Sequence, residues 1–280
     1  ALESLKDSRN PGLNALMRLS GKNEKKITTY DLGFLIGPCI NAAGRLGDAR
    51  TSLEFPLEKN AAKAETKAAE INNDRKSMTE NGVKLITKML EDATIAGKIG
   101  DTATLADRVI VAYIPDVHES VVGIIASKLK EAYSRPVMIF TDSEHAGILK
   151  GSGRSIESYN MYEHLSRVKS YFREFGGHAM AAGFSIESSR LGELRRVLNE
   201  QCALTDEDIT PKVRIDVGMP LQYLARQSMR ITEQLYLLEP YGKGNRKALF
   251  GQANVPVRKA SILGKNRNLL KLVLDIGENQ

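Results

Sequence analysis

Between Val109 and Phe140 the sequence runs through an apolar stretch, a helical stretch and a second apolar stretch, an order that constrains the fold. Val109-Ile110-Val111-Ala112-Tyr113 is a continuous apolar run of the kind a buried strand needs. Glu119 to Tyr133 sets Val122, Ile125, Ala126 and Leu129 on one helical face, and Pro136-Val137-Met138-Ile139-Phe140 is a second strand. At this spacing the three make a βαβ unit, which implies a parallel pair with a right-handed crossover. Ile148-Leu149 adds a short strand, Met161 to Phe172 a helix, Ala181 to Ile186 a strand and Leu191 to Cys202 another helix. The expected result is a compact α/β domain over residues 108–204.

The flanking stretches read differently. Residues 1–56 are helical, broken at Asn10-Pro11-Gly12 and punctuated again at Gly37-Pro38. Within residues 57–107, Leu57, Ala61, Ala64, Ala68, Ile71, Met78, Leu85 and Met89 follow four-three spacing from Leu57 to about Ala93, interrupted at Arg75 and Gly82. At 1.5 Å per residue such a helix is roughly 54 Å long. Its apolar seam is thin and alanine-rich, which suits a connection between two domains better than a coiled coil. Over residues 205–280 an alternating run, Val213 to Val217, precedes a helix from Leu221 to Leu238. Short strands follow at Leu249-Phe250, Val255 to Leu263 and Leu269 to Ile276, the start of a small β-barrel or meander.

The 280 residues are 42% hydrophobic, ample for real cores, and carry a net charge of +6. The charge is concentrated: from Tyr241 to Leu274 there are eight Lys or Arg and no Asp or Glu. A solvated face is one reading; a polyanion footprint is the other. Cys39 and Cys202 match no metal or redox spacing, consistent with a reduced, cytoplasmic setting. No run approaches the ~20 apolar residues that span a bilayer. The chain opens at Ala1 in helical register without an initiating Met, as a fragment would.

Candidate chemistry lies between Lys150 and Phe184. Lys150-Gly151-Ser152-Gly153-Arg154-Ser155 and Gly176-Gly177-His178-Ala179-Met180-Ala181-Ala182-Gly183 read as two glycine-bearing turns around an amphipathic segment. Backbone N–H groups in such turns form anion sites, Arg154 supplies a planar fork for phosphate oxygens, and Ser152 and Ser155 add hydroxyl donors. His178 adds a ring N–H donor. The bland alternative is tight turns and close packing. No catalytic constellation is complete: the four histidines lack metal-ligand spacing, and there is no P-loop and no Gly-x-Ser-x-Gly elbow.

Four ordered motifs carry a family resemblance: Gly37-Pro38-Cys39-Ile40-Asn41-Ala42-Ala43-Gly44-Arg45-Leu46, the Lys150–Ser155 motif, the Gly-Gly-His motif, and Leu238-Glu239-Pro240-Tyr241-Gly242-Lys243-Gly244-Asn245. Together they resemble RecJ, the single-strand-specific 5′-to-3′ DNA exonucleases of the DHH phosphoesterase superfamily. His118 to Ala126 looks like the family's strand-to-helix entry, in a form typical of clostridial relatives. Two positions depart from the pattern: Arg246 stands where the family often has proline, and Gly47 where an Asp is common.

The resemblance implies a layout and roles. Residues 1–56 would be the helical end of the DHH catalytic domain and 57–107 the connecting helix. Residues 108–204 would be the DHH-associated, substrate-binding domain, and 205–280 a linker helix with a truncated OB-fold. Arg45, Ser152, Gly153, Arg154, Ser155, Gly176 and Gly177 would bind the 5′-phosphate, and His178 would act catalytically on the reacting phosphate. Lys243, Arg258, Lys259, Lys265, Arg267 and Lys271 would form a basic track for single-stranded DNA. The Mn2+ or Mg2+ of the full-length parent would be held upstream of Ala1, with no metal ligand in this chain, so the fragment alone is expected to be inactive. Implied partners are single-stranded DNA, the missing N-terminal DHH domain, and single-strand-binding protein or a helicase; no membrane is implied. Two other readings are a stand-alone single-stranded nucleic-acid-binding module and a DHH-type phosphodiesterase of short RNA or cyclic dinucleotides.

Overall fold

A computed structural model describes residues 2, 5, 8–19, 27–38, 40, 50, 54, 57–95, 103–242, 244–264, 267 and 269–276. The chain divides into two units, one containing Leu32–Pro211 and the other containing Lys212–Gln280.

Helix α1 (Pro11–Leu19) starts with proline, where a missing N–H costs nothing, and the Asn10 side chain caps the Leu13 N–H at 2.8 Å. The long helix α2 runs Ala61–Ile95, 35 residues, close to the expected span. Its first half packs on α1, where Ala15, Leu16, Ala64 and Ala68 are buried and Arg18 pairs with Glu65 at 3.3 Å. Its second half delivers Ile86 and Leu90 to the apolar cluster beneath the sheet. Gly82, which interrupts the apolar stripe, has a packing reason: a Cβ there would lie 2.4 Å from Ile125 Cδ1.

The sheet contains β1 (Ile110–Tyr113), β2 (Val137–Asp142), β3 (Ile148–Arg154), β4 (Phe172–His178) and β5 (Ala181–Glu187), in the order β1-β2-β3-β5-β4. β1 and β2 are parallel, joined through α3 (Glu119–Tyr133) as the βαβ pattern predicts; the other pairings are antiparallel. His118 caps α3, its ring accepting from the Ser120 N–H, and Ser134 closes the helix in the left-handed region at φ 53.

Each face of the sheet has its own core. Ile110, Ala112, Val137 and Ile139 point toward α3 and α2. Val111, Met138, Phe140, Leu149, Phe184 and Ile186 point the other way, toward α4 (Met161–Arg167) and α5 (Leu191–Glu200). The Phe140 and Phe184 rings pack 4.7 Å apart, tilted by 36°, in this second core. The outer edge of β1 is occupied by α5: Asn199 both accepts from the Val109 N–H and donates to its carbonyl at 3.0 Å, and Arg195 Nε donates to the Val111 carbonyl.

Two expectations need correction. The helix expected over Met161–Phe172 ends at Arg167; a 3-10 turn, Lys169–Tyr171, follows, and Phe172 opens β4. The two glycine-bearing turns are also strands, β3 and β4. Glycine weakens a strand's local signal, and here pairing with β5 supplies what propensity does not. A bulge between Phe172 and Glu174 shifts the register so that Phe172 and Phe175 both face the aromatic core, 5.6 Å apart.

In the second unit, β6 (Val217–Gly218) pairs with β7 (Phe250–Gly251), and β8 (Val257–Leu263) pairs with β9 (Leu269–Leu274). The run from Val213 is a strand only at its end, since pairing with β7 reaches no further. The four-residue α6 (Asp206–Ile209), in the first unit, precedes β6, and α7 (Leu221–Tyr236), kinked at Gln227, lies between β6 and β7. Among the described residues these are partial OB-like strands that do not close into a barrel. No helix of the described residues is long and apolar enough to cross a membrane.

Candidate nucleic-acid interface

Because β3 and β4 are strands, their side chains alternate between two faces. On the α3 side the register sets three rows across β3, β5 and β4: Arg154–Ala181–His178, then Ser152–Gly183–Gly176, then Lys150–Ser185–Glu174. Arg154 and His178 are thus two strand spacings apart, roughly 10 Å. α3 packs on β2 and β3, while Gly176, His178 and Gly183 lie exposed beyond it. A cavity of about 530 Å³ opens there, lined by Glu119, Ser120, Lys150, Gly176, Gly183 and Ser185 among others.

Arg154 is fixed by its neighbours. Its Nη1 donates to Ser152 Oγ and to the Gly153 carbonyl, both at 2.7 Å. Gly123 of α3 lies over the guanidinium. His178 Nδ1 accepts the Met180 N–H at 3.2 Å, so in the neutral ring the proton sits on Nε2, the nitrogen free to donate outward. At the far row Lys150 pairs with Glu119 at 2.8 Å, and that hydrogen bond and charge raise the ammonium's pKa above its ordinary value. The Arg154–His178 end therefore suits a phosphate, while two carboxylates, Glu119 and Glu174, flank the Lys150 end.

The predicted residues separate by face. Ser152, Arg154, Gly176 and His178 come together on the open side. Gly153 and Ser155 do not: Gly153 faces the core, where a Cβ would lie 2.4 Å from Met161 Sδ, and the Ser155 hydroxyl is buried, donating to the Tyr159 carbonyl at 2.6 Å. Gly177 is needed for backbone packing, since a Cβ there would meet the Ala181 carbonyl oxygen at 2.3 Å. Arg45, Lys243 and Lys265 lie outside the described residues. Of the basic track, Lys259 and Lys271 share one face of the β8–β9 hairpin, Arg267 sits in its turn at φ 52, and Arg258 pairs with Asp275 at 3.1 Å. Gly183 was missed as a floor residue because nothing local distinguishes it from its neighbours. Among the described residues no three His, Cys, Asp or Glu come together to hold a metal.

Family models match over two stretches: the DHHA1 domain at residues 106–204 and the RecJ OB domain at residues 215–280. The single-stranded-DNA-specific exonuclease RecJ of Bacillus subtilis is 30% identical over 275 residues, 98% of this chain. The chain belongs to the RecJ family. RecJ of Haemophilus influenzae is 33% identical over 94% of the chain. The crystal structure of Thermus thermophilus RecJ in complex with Mg2+ superimposes with a TM-score of 0.75 at 29% identity, covering 98% of this chain and 40% of that one. The chain spans about a third to a half of these RecJ proteins, 34% of the first and 46% of the second.

Proposed function

We propose that this chain is the substrate-holding portion of a RecJ-type exonuclease that removes mononucleotides from the 5′ end of single-stranded DNA. The observation that carries the reading is the row of Arg154 and His178 beside the row of Ser152 and two glycines on one open sheet face. The guanidinium fork and Ser152 hydroxyl would grip the terminal 5′-phosphate, which sets polarity. His178 Nε2 would donate to the phosphate under attack. Bare backbone at Gly176 and Gly183 lets the strand lie close to the sheet. Lys259, Arg267 and Lys271 would follow the rest of the strand through contacts that ignore base identity. Arg45 joins the phosphate grip in this proposal.

A divalent metal, such as the Mg2+ of the Thermus structure, supplies activated water and charge neutralisation in phosphate hydrolysis. This chain's proposed share is to bind and orient the strand. The preceding DHH domain is the proposed partner for the metal chemistry, and single-strand-binding protein or a helicase is proposed for recruitment. The RecJ OB domain match favours this reading over a phosphodiesterase of short RNA or cyclic dinucleotides.

In the full-length protein, Arg154→Ala should cut the rate on 5′-phosphorylated single strands by about tenfold or more and spare 5′-hydroxyl strands. Equal losses on both substrates would remove Arg154 from the 5′-phosphate role.

A further inference from the structure

In α2 and α3 one glycine each, Gly82 and Gly123, lies where a side chain would collide with a neighbour's side chain, and the neighbours differ. At Gly82 the Cβ would strike Ile125, an apolar packing contact. At Gly123, inside α3, it would lie 2.7 Å from Arg154 Nη2, 3.1 Å from Ser152 Oγ and 3.4 Å from Arg154 Cζ. All three atoms belong to the phosphate grip. Glycine inside a helix costs about 1 kcal/mol against alanine, so its presence among Val121, Val122 and Ile124 needs a reason. The colliding nitrogen is the far end of a flexible side chain. An added methyl group would therefore displace the guanidinium rather than the helix and, pressing on both Nη2 and Ser152 Oγ, disturb the 2.7 Å bond from Nη1 to Ser152.

We infer that Gly123 is a positioning residue: the space left by its missing side chain seats the Arg154 guanidinium against Ser152 and sets preference for a 5′-phosphate. The inference rests on the proposed role of Arg154. Alanine at this position favours the helix while disfavouring the grip.

The test compares the wild type, Gly123→Ala, Arg154→Ala and the double variant of the full-length protein. The probes are oligothymidylates carrying a 5′-phosphate or a 5′-hydroxyl, and the readouts are dissociation constants and Tm. Gly123→Ala should lower the phosphate-to-hydroxyl affinity ratio by about tenfold, with Tm unchanged or raised. In the Arg154→Ala background it should change the ratio no further. A retained ratio in Gly123→Ala beside a lost one in Arg154→Ala overturns the inference alone. A further drop in the double variant, or a Tm lowered by Gly123→Ala, overturns it too, because the methyl group then acts through other contacts. A ratio retained in Arg154→Ala overturns the proposed site and this inference with it.

Discussion

The two units of this chain are ordered by different means. In the first, a five-stranded sheet lies between two apolar clusters, and Phe140, Ile139, Val111 and Ile125 have at most traces of exposed surface. In the second, no described residue from Lys212 onward is buried. Its elements are tied by polar contacts instead: Asn245 donates to the Leu238 and Pro240 carbonyls, the Leu249 N–H to Asp216, and Tyr241 to the Leu235 carbonyl. Apolar side chains stay on the surface, including Leu269, Leu270 and Ile262, each more than half exposed. A site that must fix a guanidinium against a hydroxyl belongs on the packed sheet. A track that needs only positive charge can occupy a surface hairpin.

The sharpest way to break this contrast is to cut into each unit. Phe140→Ala removes a fully buried ring that packs against Phe184, and should cost about 3–5 kcal/mol by denaturant titration. Leu272→Ala on β9, 46% exposed, should change stability by no more than about 0.5 kcal/mol. Similar costs for the two would erase the distinction. Ser152→Ala tests the fixed grip: loss of the Arg154 anchor should weaken binding of a 5′-phosphorylated strand by about 1–1.5 kcal/mol, measured by titration, with a smaller effect on a 5′-hydroxyl strand.

The track should respond to salt. Replacing Lys259 and Lys271 with glutamine should flatten the plot of log affinity against log salt by about 0.7 for each phosphate that the hairpin no longer neutralises. An unchanged slope would take the hairpin out of the binding path. The smallest expected effect is acid sensitivity within the packed unit. His164 stacks on Tyr159 at 3.9 Å, and burial lowers its pKa from the usual 6.5. A histidine depressed in the folded state contributes stability above pH 6.5 that is lost as pH falls through the lowered folded value. His164→Phe keeps a ring on Tyr159, so its urea midpoint should fall less than that of the wild type below pH 6.5. Parallel profiles would show that His164 does not titrate with unfolding.

Much of the architecture could be read from residue order. The apolar runs at Val109 and Pro136, with a helical face between them, specify a parallel pair because each signal is local and repeats at the element's own period. The long helix was legible for the same reason, to within a few residues at its start. Glycine-rich β3 and β4 were not. Their strand character comes from partners distant in sequence, such as the Phe184 ring, which leaves room for no Cβ at Gly151. That pairing has a functional consequence which composition and motif spacing do not contain. Ser152 and Arg154 are two residues apart, and so are Gly176 and His178; alternation sends all four to one face and turns Gly153 and Ser155 away from it. The sequence supplied the groups proposed to bind phosphate. Which of them can meet one phosphate depends on strand pairing, because a period of two becomes a shared face only when neighbouring strands lock the register.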